Sequence, residues 1–263
     1  MLRTRLWTAA VALPAVLAAI LYASDSAFTL MVGAFGAWAL YEIVTMTDAR
    51  RSALRLVLVM LAGGIPLTIG LVSGGTVPWV VPAGAIVAMA TLVGLVAISG
   101  PDTGVGRNAL AFLGAASVGM LFPYLALMRN LYDGAALFVL TLLVVVASDT
   151  GAYFTGAYLG KHKLAPRVSP NKTVEGAVGG LLASVATGLV LRQFIFWEWD
   201  AGAMTGFGVA IALLAQLGDL ANSAFKRCAH VKDSGWLFPG HGGLLDRASS
   251  LVFAAVFAYY WAS

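Results

Sequence analysis

The chain alternates long apolar runs with short polar breaks, and most of the runs have membrane-spanning length. They cover about Leu6–Ala23, Ala27–Val44, Leu54–Val72, Val77–Ile98, Leu110–Met128, Gly134–Leu159, Val174–Trp197, Ala203–Asn222 and Ser250–Ser263. A helix needs roughly 20 apolar residues to cross a bilayer, with a range of about 17–25. The pattern predicts an all-α polytopic integral membrane protein of about nine transmembrane helices. The second run is short, the sixth is long and interrupted by polar groups, and the ninth ends with the chain. Pro14, Pro66, Pro82 and Pro123 fall inside runs, where neighbouring helices tolerate proline and a kink is expected.

The breaks orient the runs. With the N-terminus in the cytoplasm, the inner segments hold Arg3, Arg5, Arg50, Arg51, Arg55, Arg107, Lys161, Lys163, Arg167, Lys172, Lys226, Arg227, Lys232 and Arg247. The opposite side keeps Arg129 and Arg192. That is 14 of 16 basic residues on one face, the bias that marks the cytoplasmic side. The C-terminus then lies on the outer side. Arg3, Arg5, the first run and the small residues that follow it also fit a signal peptide, but removing them would break the alternation of charge across the remaining loops.

Composition agrees. Hydrophobic residues make up 60% and charged ones 11%, with a mean hydropathy of +0.88, against roughly 45–50% and about 25% in soluble domains. A water-soluble domain is excluded. One cysteine, Cys228, excludes an internal disulfide and argues against a metal–thiolate site.

Chemistry divides the chain near residue 130. Residues 1–130 are bland, with Gly63-Gly64 as an example of close contacts, and are assigned a structural and dimer-forming role. Glu42 ends a helix there and is expected at the membrane interface. Residues 131–263 hold the candidate chemistry, on cytoplasmic loops at 160–173 and 223–249.

Three segments compete. In S-D-T-G-A-Y-F-T-G (Ser148–Gly156), Asp149 follows an apolar run, and an acid at membrane depth is a functional candidate. The alternative is a hydrogen bond to a neighbouring helix. The loop Gly160–Gly176 carries Lys161, Lys163, Arg167, Asn171 and Lys172, then opens a helix near Thr173 with Glu175 in its first turn. Bases beside a helix N-terminus suit phosphate; contact with anionic lipid headgroups is the plainer reading. Asn171-Lys172-Thr173 matches a glycosylation sequon, which a cytoplasmic loop would not expose.

The third segment, Gln216–Arg247, packs Asp219, Asp233, Asp246, Lys226, Arg227, Lys232, Arg247, His230 and His241 between apolar flanks. Asp219, Ser223, Lys226 and Arg227 share one side if the eighth helix continues beyond the membrane surface. Lys232 to Gly235 and Pro239 to Gly243 are too glycine-rich for helix, and such a loop brings backbone N–H groups close to a ligand. Carboxylates among bases point to Mg²⁺ and a polyphosphate. His230 reads as a surface residue; His241, between glycines, is open.

The stretch S-A-F-K-R-C-A-H-V-K-D-S-G-W-L-F-P-G-H-G-G-L-L-D-R resembles the signature of the phosphatidate cytidylyltransferases, the CDP-diacylglycerol synthases. S-D-T-G-A-Y-F-T-G and S-P-N-K-T-V-E-G resemble that family's upstream blocks. The resemblance implies a Mg²⁺-dependent enzyme of the bacterial inner membrane, its site facing the cytoplasm. It would join CTP to phosphatidate in phospholipid biosynthesis, and a homodimer is expected. On this reading Asp219 and Asp246 hold the metal, with Asp149 and Asp233 as weaker candidates. Lys172, Lys226, Arg227 and Arg247 neutralise phosphates, Ser223 and His241 orient them, and Lys232, Asn171 and Glu175 line the substrate site. Where the family usually carries a further acid two residues after the Asp-Arg pair, this chain has Ser249. That hydroxyl adds no charge and leaves the presence of a second cation open.

A secondary transporter of an anionic solute would also want intramembrane acid and basic gates, but no inverted repeat is evident and the charge lies on one face. A catalytically silent scaffold would rest on Ser249 alone. No nucleic-acid partner is expected, and the spaced multi-aspartate motif of the CDP-alcohol phosphotransferases is missing.

Overall fold

A computed structural model describes residues 14–49, 52–72, 104–196, 198–237 and 242–263. The expected run Val77–Ile98, the start of the first run, and His241 lie outside these residues. Among the described residues, five helices are long and apolar enough to cross a membrane: Asp25–Met46, Gly106–Arg129, Gly134–Leu159, Val174–Arg192 and Ala201–Cys228. Two compact units emerge, one from residues 1–130 and 224–248, the other from 131–223 and 249–263.

In the first unit, α1 (Asp25–Met46) opens with Ser24, whose hydroxyl accepts the Ala27 N–H at 3.3 Å and so satisfies one of the helix's unpaired donors. The third apolar run is not one regular helix. It forms α2 (Ala53–Val59), a π-helical turn over Met60–Gly64, and α3 (Ile65–Val72). Pro66 brings no N–H to the carbonyl of Ala62, and a ladder that loses a bond unwinds locally. The fifth run breaks as Pro123 predicts, into α4 (Gly104–Leu121) and α5 (Pro123–Arg129).

Small residues let these helices meet backbone to backbone: a Cβ on Gly119 would stand 2.7 Å from the Gly63 Cα. Arg55 ties the turn after α1 to α4, donating to the Thr47 carbonyl at 2.9 Å and to the Asn108 side chain at 3.1 Å. Arg129 closes the other end, donating to the carbonyls of Ile20 and Ala23.

In the second unit, α6 (Gly134–Leu159) has the bounds that the apolar pattern predicts. The basic loop after it is not irregular. It forms an antiparallel hairpin, β1 (Lys163–Ala165) with β2 (Ser169–Thr173), paired Lys163 to Thr173 and Ala165 to Ser169, and it leads into α7 (Val174–Arg192). The buried residues of α7 are Gly176, Gly180, Ser184 and Gly188, one every four positions along a single stripe. This stripe seats α7 on α6: a Cβ on Gly180 would meet the Ser148 carbonyl at 2.8 Å, and the Ser184 hydroxyl donates to the Val144 carbonyl at 3.2 Å.

Helix α8 (Ala201–Cys228) and helix α9 (Leu245–Ala262) each begin in one unit and end in the other. The expected continuation of the eighth helix beyond Asn222 is present, so Asp219, Ser223, Lys226 and Arg227 all belong to α8.

Candidate active site

The second unit brings Lys172 to Asp219. Thr173 stops the hairpin and starts α7, its hydroxyl accepting the Gly176 N–H at 3.1 Å. This fixes the neighbouring Lys172 at the end of β2, where its Nζ lies 2.6 Å from Asp219 Oδ2. Both side chains are partly exposed, at 25% and 39%, open enough to exchange partners with a ligand. Helix α8 is held beneath them by Gln216, which donates to the Ala177 carbonyl at 3.0 Å, and by Gly218, where a Cβ would meet the Ser249 carbonyl at 2.6 Å. Ser249 therefore packs beside the residue that precedes Asp219.

Glu175 braces the same hairpin from within. It accepts the N–H groups of Lys161 and His162 at 3.1 and 3.2 Å, and the His162 Nδ1 stands 2.6 Å from its other oxygen.

The first unit gathers Lys226, Asp246, Ser234 and Glu42. Lys226 Nζ lies 2.5 Å from Asp246 Oδ1. The other Asp246 oxygen accepts the N–H of Ser234 at 2.8 Å, the N–H of Gly243 at 3.1 Å and lies 3.1 Å from the Ser234 hydroxyl. Burial opposes ionisation of Asp246, but the Lys226 ammonium and the two N–H donors outweigh it and hold the carboxyl below its ordinary 3.8.

Glu42, near the end of α1, is enclosed by protein, at 1% exposure. It accepts the N–H of Leu244 at 2.7 Å, the N–H of Leu245 at 3.0 Å, the Ser234 hydroxyl at 2.8 Å and the Trp38 indole N–H at 3.2 Å.

Three glycines of the loop lie hard against these two carboxylates. A Cβ on Gly235 or on Gly243 would stand 2.6 Å from Glu42 Oε1, and one on Gly242, at φ +84°, would stand 2.6 Å from Asp246 Oδ2. The backbone N–H groups expected to approach a ligand thus turn, in part, to the chain's own acids. The sequence held little local sign of this, because three of the four partners of Glu42 lie about two hundred residues away (separations of 192 to 203).

The remaining candidates take simpler places. Lys232 and Asp233 are exposed in the loop, Arg227 and Arg247 are exposed at the ends of α8 and α9, Ser223 is half-buried on α8, Asn171 is exposed on β2, and Asp149 faces outward on α6. His230, read as a surface residue, closes α8. Its φ is +55°, its N–H bonds the Arg227 carbonyl, and the next N–H, of Val231, bonds the Lys226 carbonyl, the αL closure usually given to glycine.

Comparison with known proteins gives these residues a context. A family model described as the cytidylyltransferase family matches residues 3–263. The chain is 36% identical over 185 residues to a phosphatidate cytidylyltransferase of Staphylococcus aureus (strain COL), covering 67% of this chain and 68% of that protein. Over 145 residues it is 44% identical to the phosphatidate cytidylyltransferase of Staphylococcus saprophyticus, 55% of each chain. With that of Staphylococcus haemolyticus the figure is 42% over a stretch of equal length.

Proposed function

The chain belongs to the cytidylyltransferase family and is a nucleotidyltransferase, and from that premise we propose that it joins CTP to phosphatidate, releasing pyrophosphate and forming CDP-diacylglycerol. The substrates come from the relatives' names. The observation in this chain that supports them is the pair of lysine–carboxylate contacts, Lys172 with Asp219 and Lys226 with Asp246. Each sets a mobile positive charge beside a hard oxygen donor, the residue types that phosphate and Mg²⁺ require.

Phosphatidate carries its own nucleophile. The second pKa of a phosphate monoester is about 6, so at neutral pH its oxygen attacks the α-phosphorus of CTP without a general base. The bond from that phosphorus to the bridging oxygen breaks, and pyrophosphate leaves with the electron pair. The chain's task is alignment and charge. Lys172, Lys226, Arg227 and Arg247 neutralise phosphate oxygens; Ser223 and His241 orient them; Asn171, Glu175, Lys232 and Asp233 shape the approach. We assign Asp219 and Asp246 to Mg²⁺, as carboxylates are the ligands it prefers from protein, with Asp149 and Asp233 as the weaker candidates. When bound, Mg²⁺ offsets charge on the triphosphate. We place the site on the cytoplasmic face of a bacterial inner membrane, in a homodimer.

The test is product formation. Purified protein in detergent, given phosphatidate, CTP and Mg²⁺, is expected to form CDP-diacylglycerol, and Asp246→Asn to lower the rate at least about a hundredfold. Folded protein that forms no product across pH and divalent metals would discard this reading in favour of transport of an anionic solute.

A further inference from the structure

We propose that Glu42, on a helix that supplies none of the other candidate site residues, is a positioning residue for Asp246. The inference rests on the assignment of Asp246 to the catalytic machinery. Glu42 reaches Asp246 by two routes.

The first is through the start of α9. The first N–H groups of a helix have no partner within it, and at α9 two of them, from Leu244 and Leu245, donate to the two oxygens of Glu42 at 2.7 and 3.0 Å. An acid from another helix therefore caps α9, in the place where negative charge is most favourable. Asp246 is the next residue, so the angle at which its side chain leaves the helix follows from where Glu42 holds this turn.

The second route is Ser234. Its hydroxyl lies 2.8 Å from Glu42 Oε2 and 3.1 Å from Asp246 Oδ2. A hydroxyl has one proton to donate, and the shorter contact is to Glu42. The Ser234 N–H is left to Asp246, at 2.8 Å. Glu42 thus fixes the residue that presents a donor to Asp246. Its own position is set by Trp38, one turn earlier on α1, whose indole N–H it accepts and whose ring meets the edge of Trp236 in the loop at 5.9 Å. Burial at 1% exposure gives the carboxylate no water to fall back on, so its four donors are obligatory partners.

The experiment uses the full chain in detergent with three variants, Glu42→Gln, Glu42→Ala and Ser234→Ala. Gln keeps the size and one acceptor oxygen but turns an amide N–H₂ toward a donor. Two readouts are taken: steady-state rates with CTP and phosphatidate, and backbone hydrogen exchange followed by mass spectrometry. Glu42→Gln is expected to lower kcat about tenfold to a hundredfold, the weight of a charge-assisted hydrogen bond. KM for CTP should stay within about threefold, because alignment rather than ground-state binding is lost. Exchange should rise in residues 231–247 and stay at the wild-type level in α6 and α7. Ser234→Ala, which leaves Glu42 in place, should give a smaller kcat loss of the same kind, and Glu42→Ala a larger one.

A Glu42→Gln protein with wild-type kcat and wild-type exchange at 231–247 would overturn the inference. So would exchange raised uniformly over the chain, which marks a role in folding alone. If the wild type forms no product, the catalytic reading is what fails. The exchange readout then still decides whether Glu42 holds the turn that carries Asp246.

Discussion

Lys172 and Asp219 meet at 2.6 Å across a hairpin and a helix that are adjacent only in space. Glu175 ties Lys161 and His162 to the start of α7 and so holds the open end of the hairpin, and the basic loop presents one lysine to one acid instead of a diffuse cloud of charge. Lys172→Met should therefore lower kcat/KM for CTP about tenfold to a hundredfold. Lys161→Met and Lys163→Met, on the same loop, should change it less than about twofold. Parallel kinetics on the three proteins checks the difference.

The Lys226–Asp246 pair is more enclosed, with 18% and 8% of the side chains exposed. Lys226→Met leaves a buried carboxylate without its cation and should cost roughly 3 kcal/mol of stability. Adding Asp246→Asn removes the stranded charge and should return part of that loss, while activity stays absent. Thermal unfolding in detergent, read beside turnover, separates the two effects. A double variant less stable than Lys226→Met would rule out this account.

The α6–α7 seam predicts a steric phenotype. Gly180→Val would drive a branched side chain into the Ser148 carbonyl, already 2.8 Å from an added Cβ, and should destabilise by about 1–3 kcal/mol. Val178→Ala, on the exposed face of the same helix, should change the unfolding midpoint little. A pair of melting curves tests it.

His230 offers the opposite sign. Its φ of +55° is a conformation in which glycine is at ease and other residues are not. His230→Gly should stabilise the end of α8, or at worst leave it unchanged, the gain being up to about 1 kcal/mol, with turnover unaltered. A loss of activity at constant stability would instead give the imidazole a role in the chemistry.

Much of this molecule is legible in its residues, for a physical reason. Apolar length is a local property, so the α6 bounds Gly134–Leu159 and the break at Pro123 can be read directly. Asp219 and Lys226 declare themselves because charge between apolar flanks is conspicuous. The hairpin is not legible: a strand of three residues is too short to show alternation, and its register depends on Thr173 and Glu175. The π-helical turn at Met60–Gly64 is only half legible: Pro66 announces a disturbed ladder, but not that it takes the form of a π-turn. Glu42 hides because it looks like any acid at the end of a span, and only the returning chain reveals what it binds.

That return has a cost in time. Glu42 and the N–H of Leu244 are separated by 202 positions, which at about 5–20 residues per second is roughly ten to forty seconds of synthesis. Until then the first unit has a carboxylate three of whose four donors have not been made. Three of the four donors to Glu42 belong to the last loop and the start of α9, so this acid is fully satisfied only once those residues have been made. Completion of the first unit is thus a late event, and a nascent chain cut short before residue 234 would lack three of the four donors that this carboxylate has in the finished protein.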